Sequence, residues 1–360
     1  MNSRERYLAV YDDNERKKLD RVPTHVQYIM EEFIIQNKEI ILSRYSGKLF
    51  NNLYFDIPLI LGFDSIFAPF PLSFKVKSIK VDDGTGKKVR IRENGQSIKR
   101  NTSYYEGGYI KNLEVLNELI TNLKKIDNNE LIKKSINYYD KISPYIFPVL
   151  IVDGIFDRVW RSMGMVSFSR NYKKNTKLFR ELIKFYANLV QINIEGLINA
   201  TGGKGKIINI LDDVAYKEHP MISPESWEKD FLPYYKELTS IVSDAGMIPQ
   251  IHTDGDVTEL ISSFKKAGFQ GLQGFEGGCD PYYINEHHPD FTIVGFGDVS
   301  YTLPYGTQDQ IESHVKELMT ALKENRRFII GPSTVIFKEI PIENVRTFVN
   351  AAIKYGKYNF

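Results

Sequence analysis

From about residue 145 onward, short apolar runs alternate with longer stretches whose apolar residues recur at helical spacing. Six runs read as strands: 144–154 (PYIFPVLIVDG), 206–211 (KIINIL), 247–251 (MIPQI), 270–275 (QGLQGF), 292–297 (TIVGFG) and 327–332 (RFIIGP). Helical patterns fill the gaps at 176–200, from Ser223 onward, at 257–267 and at 308–325, and a last one closes the chain at 341–354. The Ser223-Pro224-Glu225 start has its own physical logic: serine caps free amides, proline suits the first turn, and an acid favours the positive helix end. The first half adds two further strands, 24–29 (THVQYI) and 65–70 (SIFAPF). Eight strands with intervening helices predict parallel βαβ units and an α/β fold, a closed (β/α)8 TIM barrel with its active site at the carboxyl ends of the strands. No glycine-rich phosphate loop follows a strand, so an open dinucleotide-binding sheet is the weaker choice.

Residues 74–110 break this rhythm. Alternating apolar and polar residues with Gly84, Gly86 and Gly95 predict an inserted β-hairpin, rich in Lys and Arg. It reads either as a solvated edge or as a lid over the barrel mouth. With an N-terminal helical extension, residues 1–360 are expected to form one barrel domain. Composition narrows the classes: 42% of residues are hydrophobic, enough for a core without staples. The lone cysteine, Cys279, excludes an internal disulfide and fits a reducing compartment. A net charge of +2 gives no basic face for nucleic acid. No apolar run is long enough to span a membrane, and the charged start lacks a signal-peptide core. The expectation is a cytoplasmic protein with neither nucleic-acid nor membrane partners; a homodimer stays open.

Several segments, in order, resemble the uroporphyrinogen decarboxylase superfamily: the opening SRERYLAVYDDNERKKLDRVPTHV, LGFDSIFAPF, LDDVAYKEHPMISPESWEKDFLPYYKEL, MIPQIHTDGDVTELI, GFGDVSYTLPYGTQDQIESHVKELM and IIGPST. That resemblance implies the same barrel and offers two chemistries. The decarboxylases hold a polycarboxylate substrate with an arginine-rich motif near the N-terminus. Here the corresponding HVQYIMEEFIIQ has no arginine and carries Glu31 and Glu32, and Ser333 stands where those enzymes have a histidine. Asp64 matches their acidic residue and is expected to bind substrate. The thiol-methylating members use a His-x-Cys plus later Cys zinc site; here the positions are His252-Thr253-Asp254 and Ser333. What remains resembles the substrate:corrinoid methyltransferases, the O-demethylase type. This implies transfer of a methyl group from a methoxylated aromatic or other small methylated donor to Co(I) of a cobalamin-type corrinoid on a partner protein. The segment 152–165 (VDGIFDRVWRSMGM) is similar to a run found in those enzymes. A cofactor-free decarboxylase acting on another acid and a non-catalytic corrinoid- or tetrapyrrole-binding barrel are the alternatives.

The strand ends supply the chemistry. Asp212, Asp213, His252, Asp254, Glu276, Cys279, Asp298 and Ser333 follow or end strands, and several acids at one mouth call for a shared cation or proton. Zn2+ is the expected ion, with His252, Glu276 and Cys279 as ligands. The catalytic set is His252, Asp213 and Glu276, with His252 able to bind metal or protonate a leaving oxygen. Asp64, Tyr216, His25, Asp298 and Ser333 are expected to touch substrate. Asp212 is assigned to an internal salt bridge, in a role exchangeable with that of Asp213, and Asp254 to capping the helix that follows it.

Overall fold

A computed structural model describes residues 1–43, 45–97, 107–275 and 278–358. Its main sheet has eight parallel strands: β1 (His25–Val26), β2 (Ser65–Pro69), β3 (Phe147–Asp153), β4 (Ile207–Leu211), β5 (Ile248–Thr253), β6 (Gly271–Gly274), β7 (Thr292–Gly297) and β8 (Phe328–Pro332), paired in that order. A parallel bridge between Thr24 and Ile330 closes the seam, where the Ile330 amide donates to the Pro23 carbonyl at 2.9 Å. The expected (β/α)8 barrel is therefore present, with each anticipated strand in place.

Side chains alternate between the lumen and the helical shell, as strand geometry demands. Along β5, Ile251 joins the core beneath the helices, whereas Gln250 and His252 take the opposite, lumenal side. The lower lumen is apolar. Phe147, Val149, Ile207, Val294 and Ile329 pack there against Tyr7, Ala9 and Val10 of the N-terminal segment. The helix Ser3–Ala9 thus plugs the amino-terminal end of the barrel, leaving the carboxyl end as the open mouth. A capping box between Asn2 and Glu5 starts it. In the shell, the long helix Lys177–Thr201 begins at the Thr176 cap, and Ser223 caps Pro224–Asp230 as its sequence predicts. Two turns expected as one helix at 257–267 divide into a 3-10 turn, Thr258–Leu260, and Ile261–Lys266.

The insertion is more composite than one hairpin. Ile79–Asp82 pairs with Lys88–Ile91 in an antiparallel hairpin, but Phe74–Val76 pairs instead with Leu123–Lys125. Residues 98–106 of the anticipated hairpin lie outside the described residues. The hairpin's far end docks on the helix Phe156–Met163, where the Ile110 amide donates to the Ser162 carbonyl and the Gly95 carbonyl accepts from Tyr109. Gly108 is obligatory there, because a Cβ would lie 2.2 Å from the Arg161 carbonyl oxygen.

Candidate active site

Two side-chain amides, Gln273 and Gln27, surround the imidazole of His252 in the upper barrel. His252 on β5 is 4% exposed, and its Nδ1 lies 2.5 Å from Gln273 Oε1, next door on β6. Gln273 Nε2 in turn donates to the Ser333 carbonyl at 3.0 Å, which commits its Oε1 to accepting. The ring therefore donates through Nδ1 and turns Nε2 towards the mouth. A second amide gives the same answer. Gln27, just beyond β1, accepts from the Thr334 hydroxyl through Oε1, so its Nε2 faces His252 Nε2 at 3.5 Å.

Nε2 faces two carboxylates. Asp213 Oδ1 lies 3.7 Å and Asp254 Oδ1 3.6 Å from His252 Nε2, and ligand atoms of the three residues fall within 4.8 Å of one another. Asp213 follows β4 and Asp254 follows β5, so neighbouring strand ends create the cluster. The backbone amide of Asp254 also donates to Asp213 Oδ1 at 3.3 Å. Arg161 holds the outer oxygen of Asp213 at 3.2 Å and is also bound to Asp157. Burial, then the charge of Asp213, pushes the Asp157 carboxyl up to about 6.

Asp212 and Asp213 are adjacent in sequence and face different tasks. Asp212 is fully buried; it accepts from the amides of Phe156 and Asp157 and from the Tyr235 hydroxyl. It thus anchors the start of the helix Phe156–Met163 and forms no salt bridge among the described residues, and burial raises its carboxyl to about 8. Gly154 must be a glycine for this packing, since a Cβ would come within 2.4 Å of the Asp212 Cβ. Asp254 does not cap the helix that follows. The turn before that helix is shaped instead by Asp256, which accepts from the Thr258 amide and hydroxyl.

Among the described residues, the other expected ones lie outside this three-residue cluster. Asp64 is at the opposite end of the barrel, immediately before β2, and does not approach the mouth. It accepts from Arg6, from both terminal nitrogens of Arg21, and from Thr24 and Ser3. The acid thus ties the plug segment to the barrel floor, which is why it cannot meet a ligand at the mouth. His25 lies inside the lumen with Nδ1 2.9 Å from Ser65 Oγ; burial and then His252 push it down to about 3, so it is neutral. Asp298 accepts from the amides of Ser300, Tyr301 and Thr302 and shapes the turn after β7. Tyr216 is 45% exposed on the loop after β4. Ser333, buried after β8, accepts from Gln273 through its carbonyl. Cys279 is not in the cluster: its thiol lies 3.4 Å from Asp256 Oδ1, and burial pushes it up to about 12, so it stays protonated. Glu276 lies outside the described residues.

Gln27, Gln273 and Arg161 are the contributors that sequence reading missed. A polar residue at an inward strand position is the available signal, and Gln273 in Gly-Leu-Gln-Gly carries it.

The family match and one solved structure agree with this architecture. The model of the family described as uroporphyrinogen decarboxylase (URO-D) matches residues 160–355. Among solved structures, a methyltransferase from Methanosarcina mazei is similar over 99% of this chain and 99% of its own, with a TM-score of 0.65 and 18% identity. A β-mannanase from the blue mussel Mytilus edulis aligns over 95% of both chains at a TM-score of 0.44 and 8% identity. No curated protein matches.

Proposed function

Since the chain belongs to the uroporphyrinogen decarboxylase family, we propose that it is a methyltransferase carrying a methyl group from a small methylated donor, such as a methoxylated aromatic, to the Co(I) corrinoid of a partner protein. The observation that carries this reading is the convergence of His252 Nε2, Asp213 and Asp254 at the barrel mouth. The structural similarity to a methyltransferase from Methanosarcina mazei supports methyl transfer.

The donor set suits a divalent ion such as Zn2+. Two tetrahedral ligands at 2.0–2.1 Å from a shared zinc lie about 3.4 Å apart, close to the 3.6 and 3.7 Å separations here. Two neighbouring carboxylates also gain from a positive charge between them. One nitrogen and two oxygens form a harder set than a thiolate cage, so an oxygen or nitrogen leaving group suits the site better than a thiol acceptor. When bound, the ion would polarise the atom from which the methyl group departs. The chain's own residues do the positioning. Gln273 fixes the imidazole tautomer, Arg161 orients Asp213, and the backbone amide of Asp254 steadies the same carboxylate. The decarboxylase reading is disfavoured because Arg161 is committed to Asp157 and Asp213, so a carboxylate substrate would meet aspartates at this spot.

The test combines metal analysis with turnover. Purified protein is expected to hold about one divalent ion per chain and to form methyl-cobalt from a panel of methoxylated aromatics and reduced cobalamin, followed by visible absorption. Asp213→Asn and Asp254→Asn should lower both metal content and rate. Carbon dioxide release without corrinoid, with no methyl-cobalt from any donor, would overturn the assignment.

A further inference from the structure

One cavity beside the triad has a composition that the proposed reaction does not use. It occupies about 280 Å3 between the ends of β6, β7 and β8 and the helix Gln308–Leu322. Phe275 and Phe296 form one wall, with ring centroids 4.7 Å apart and planes at 8°. Asp298, His314, Glu317 and Ser333 provide the polar lining.

The aromatic wall is held in place against local preference. Phe275 and Phe296 both have φ of 69°, a region that large side chains seldom adopt. Each follows a glycine, Gly274 or Gly295, with φ of 137° and 126°. A Cβ on Gly295 would lie 2.3 Å from the Gly274 carbonyl oxygen, and one on Gly274 2.1 Å from that of Thr253. Two adjacent strands therefore make the same irregular turn at the same level, and its product is the stacked pair. Such strain persists where surrounding structure enforces it, and it collects at ligand sites.

The charge is one-sided. Asp298 is held below the usual carboxylate range by the donors around it, burial notwithstanding, and Glu317 is exposed on its helix. His314 is pushed down, chiefly by burial, so it brings no charge at neutral pH. An aromatic wall with carboxylates, and no lysine or arginine among the described lining residues, suits an organic ammonium group. The cavity also adjoins the triad. Gln273 pairs in register with His252, so Phe275 stands level with Asp254 on the next strand, and Ser333 lines the cavity while accepting from Gln273.

We infer that this cavity binds an organic ammonium ion, held by the Phe275–Phe296 wall and the carboxylates of Asp298 and Glu317. As the identity of the methyl donor, this rests on the methyl-transfer reading: the donor carries an ammonium group here and presents its methylated end to the triad. As a binding site it stands apart from that reading, and the test exploits the difference.

Binding of choline and of its uncharged isostere, 3,3-dimethylbutan-1-ol, is measured by calorimetry on the whole protein without corrinoid. Choline should bind at least tenfold more tightly. Glu317→Gln, at an exposed helix position, should weaken choline at least threefold while leaving the isostere unchanged, and Phe296→Leu should weaken choline at least tenfold; thermal melts establish that both variants are folded. Equal binding of the two probes, no choline binding, or choline affinity untouched by both substitutions would overturn the inference. Choline binding without methyl transfer from any donor would leave the site standing and refute the methyltransferase reading instead. Methyl transfer from neutral methoxyarenes with no choline binding would do the reverse.

Discussion

Replacing Asp64 by asparagine separates a structural acid from a substrate-binding one. The side chain is 3% exposed and accepts from Arg6 Nη1 at 2.7 Å and from Arg21 at 2.7 and 2.9 Å. Asparagine keeps the shape and one acceptor, which can still serve the Thr24 amide, but it loses the charge. Arg6 retains Asp20 as a partner, whereas the guanidinium of Arg21 has its carboxylate contacts with Asp64 alone among the described residues. Removing one partner of a buried ion pair costs about 3–5 kcal/mol, and the surviving Arg6–Asp20 contact puts this case near 3. With an unfolding entropy of about 2.1 cal/mol/K per residue, 360 residues give about 0.75 kcal/mol/K, so Tm should fall by about 4 °C. Scanning calorimetry measures that shift, and steady-state kinetics with the identified donor should show KM unchanged. A variant with wild-type Tm and a strongly raised KM would refute the placement of Asp64 in the barrel floor clamp.

Gln273→Leu removes the acceptor that fixes the Nδ1 proton of His252, and loss of such a partner typically weakens metal binding about 10–100-fold. Competition with a chromogenic zinc chelator reads this directly; unchanged affinity would remove His252 from the ligand set. Asp212 and Asp157 are raised to about 8 and about 6, chiefly by burial, so the folded state binds more protons than the unfolded state above pH 4. Stability should therefore fall as pH rises from about 4 towards 8, and Asp212→Asn should flatten the part of that decline above pH 6. Urea titrations across this range check it, and an unaltered slope in the variant would place the titration elsewhere.

The resemblance of several ordered segments, together with the alternation of apolar runs and helical spacing, made the barrel readable. Strand spacing alone put Asp213, His252 and Asp254 at the carboxyl ends of β4 and β5. The division of labour between Asp212 and Asp213 was not readable. Consecutive residues leaving a strand point different ways, and only the arrival of Phe156, Asp157 and Tyr235 makes one of them an anchor. Cys279 looked like a ligand because a thiol near a strand end can be one. Its placement beside Asp256, away from His252, is a matter of loop packing that no local pattern encodes. Asp64 shows the same limit from the other side. Its segment matches the family, yet the residue sits before its strand rather than after it, next to Arg6 and Arg21 brought in by the N-terminal plug.

The sequence by itself determined the eight strands, their parallel order and the end at which polar chemistry collects, because those follow from periodicity and chain direction. Tertiary structure alone decided the His252 tautomer, the partners of Asp213 and the stacked wall of Phe275 and Phe296. Each of these depends on atoms brought together across strands or from distant segments, and distance in space is not written in the spacing of residues along a chain.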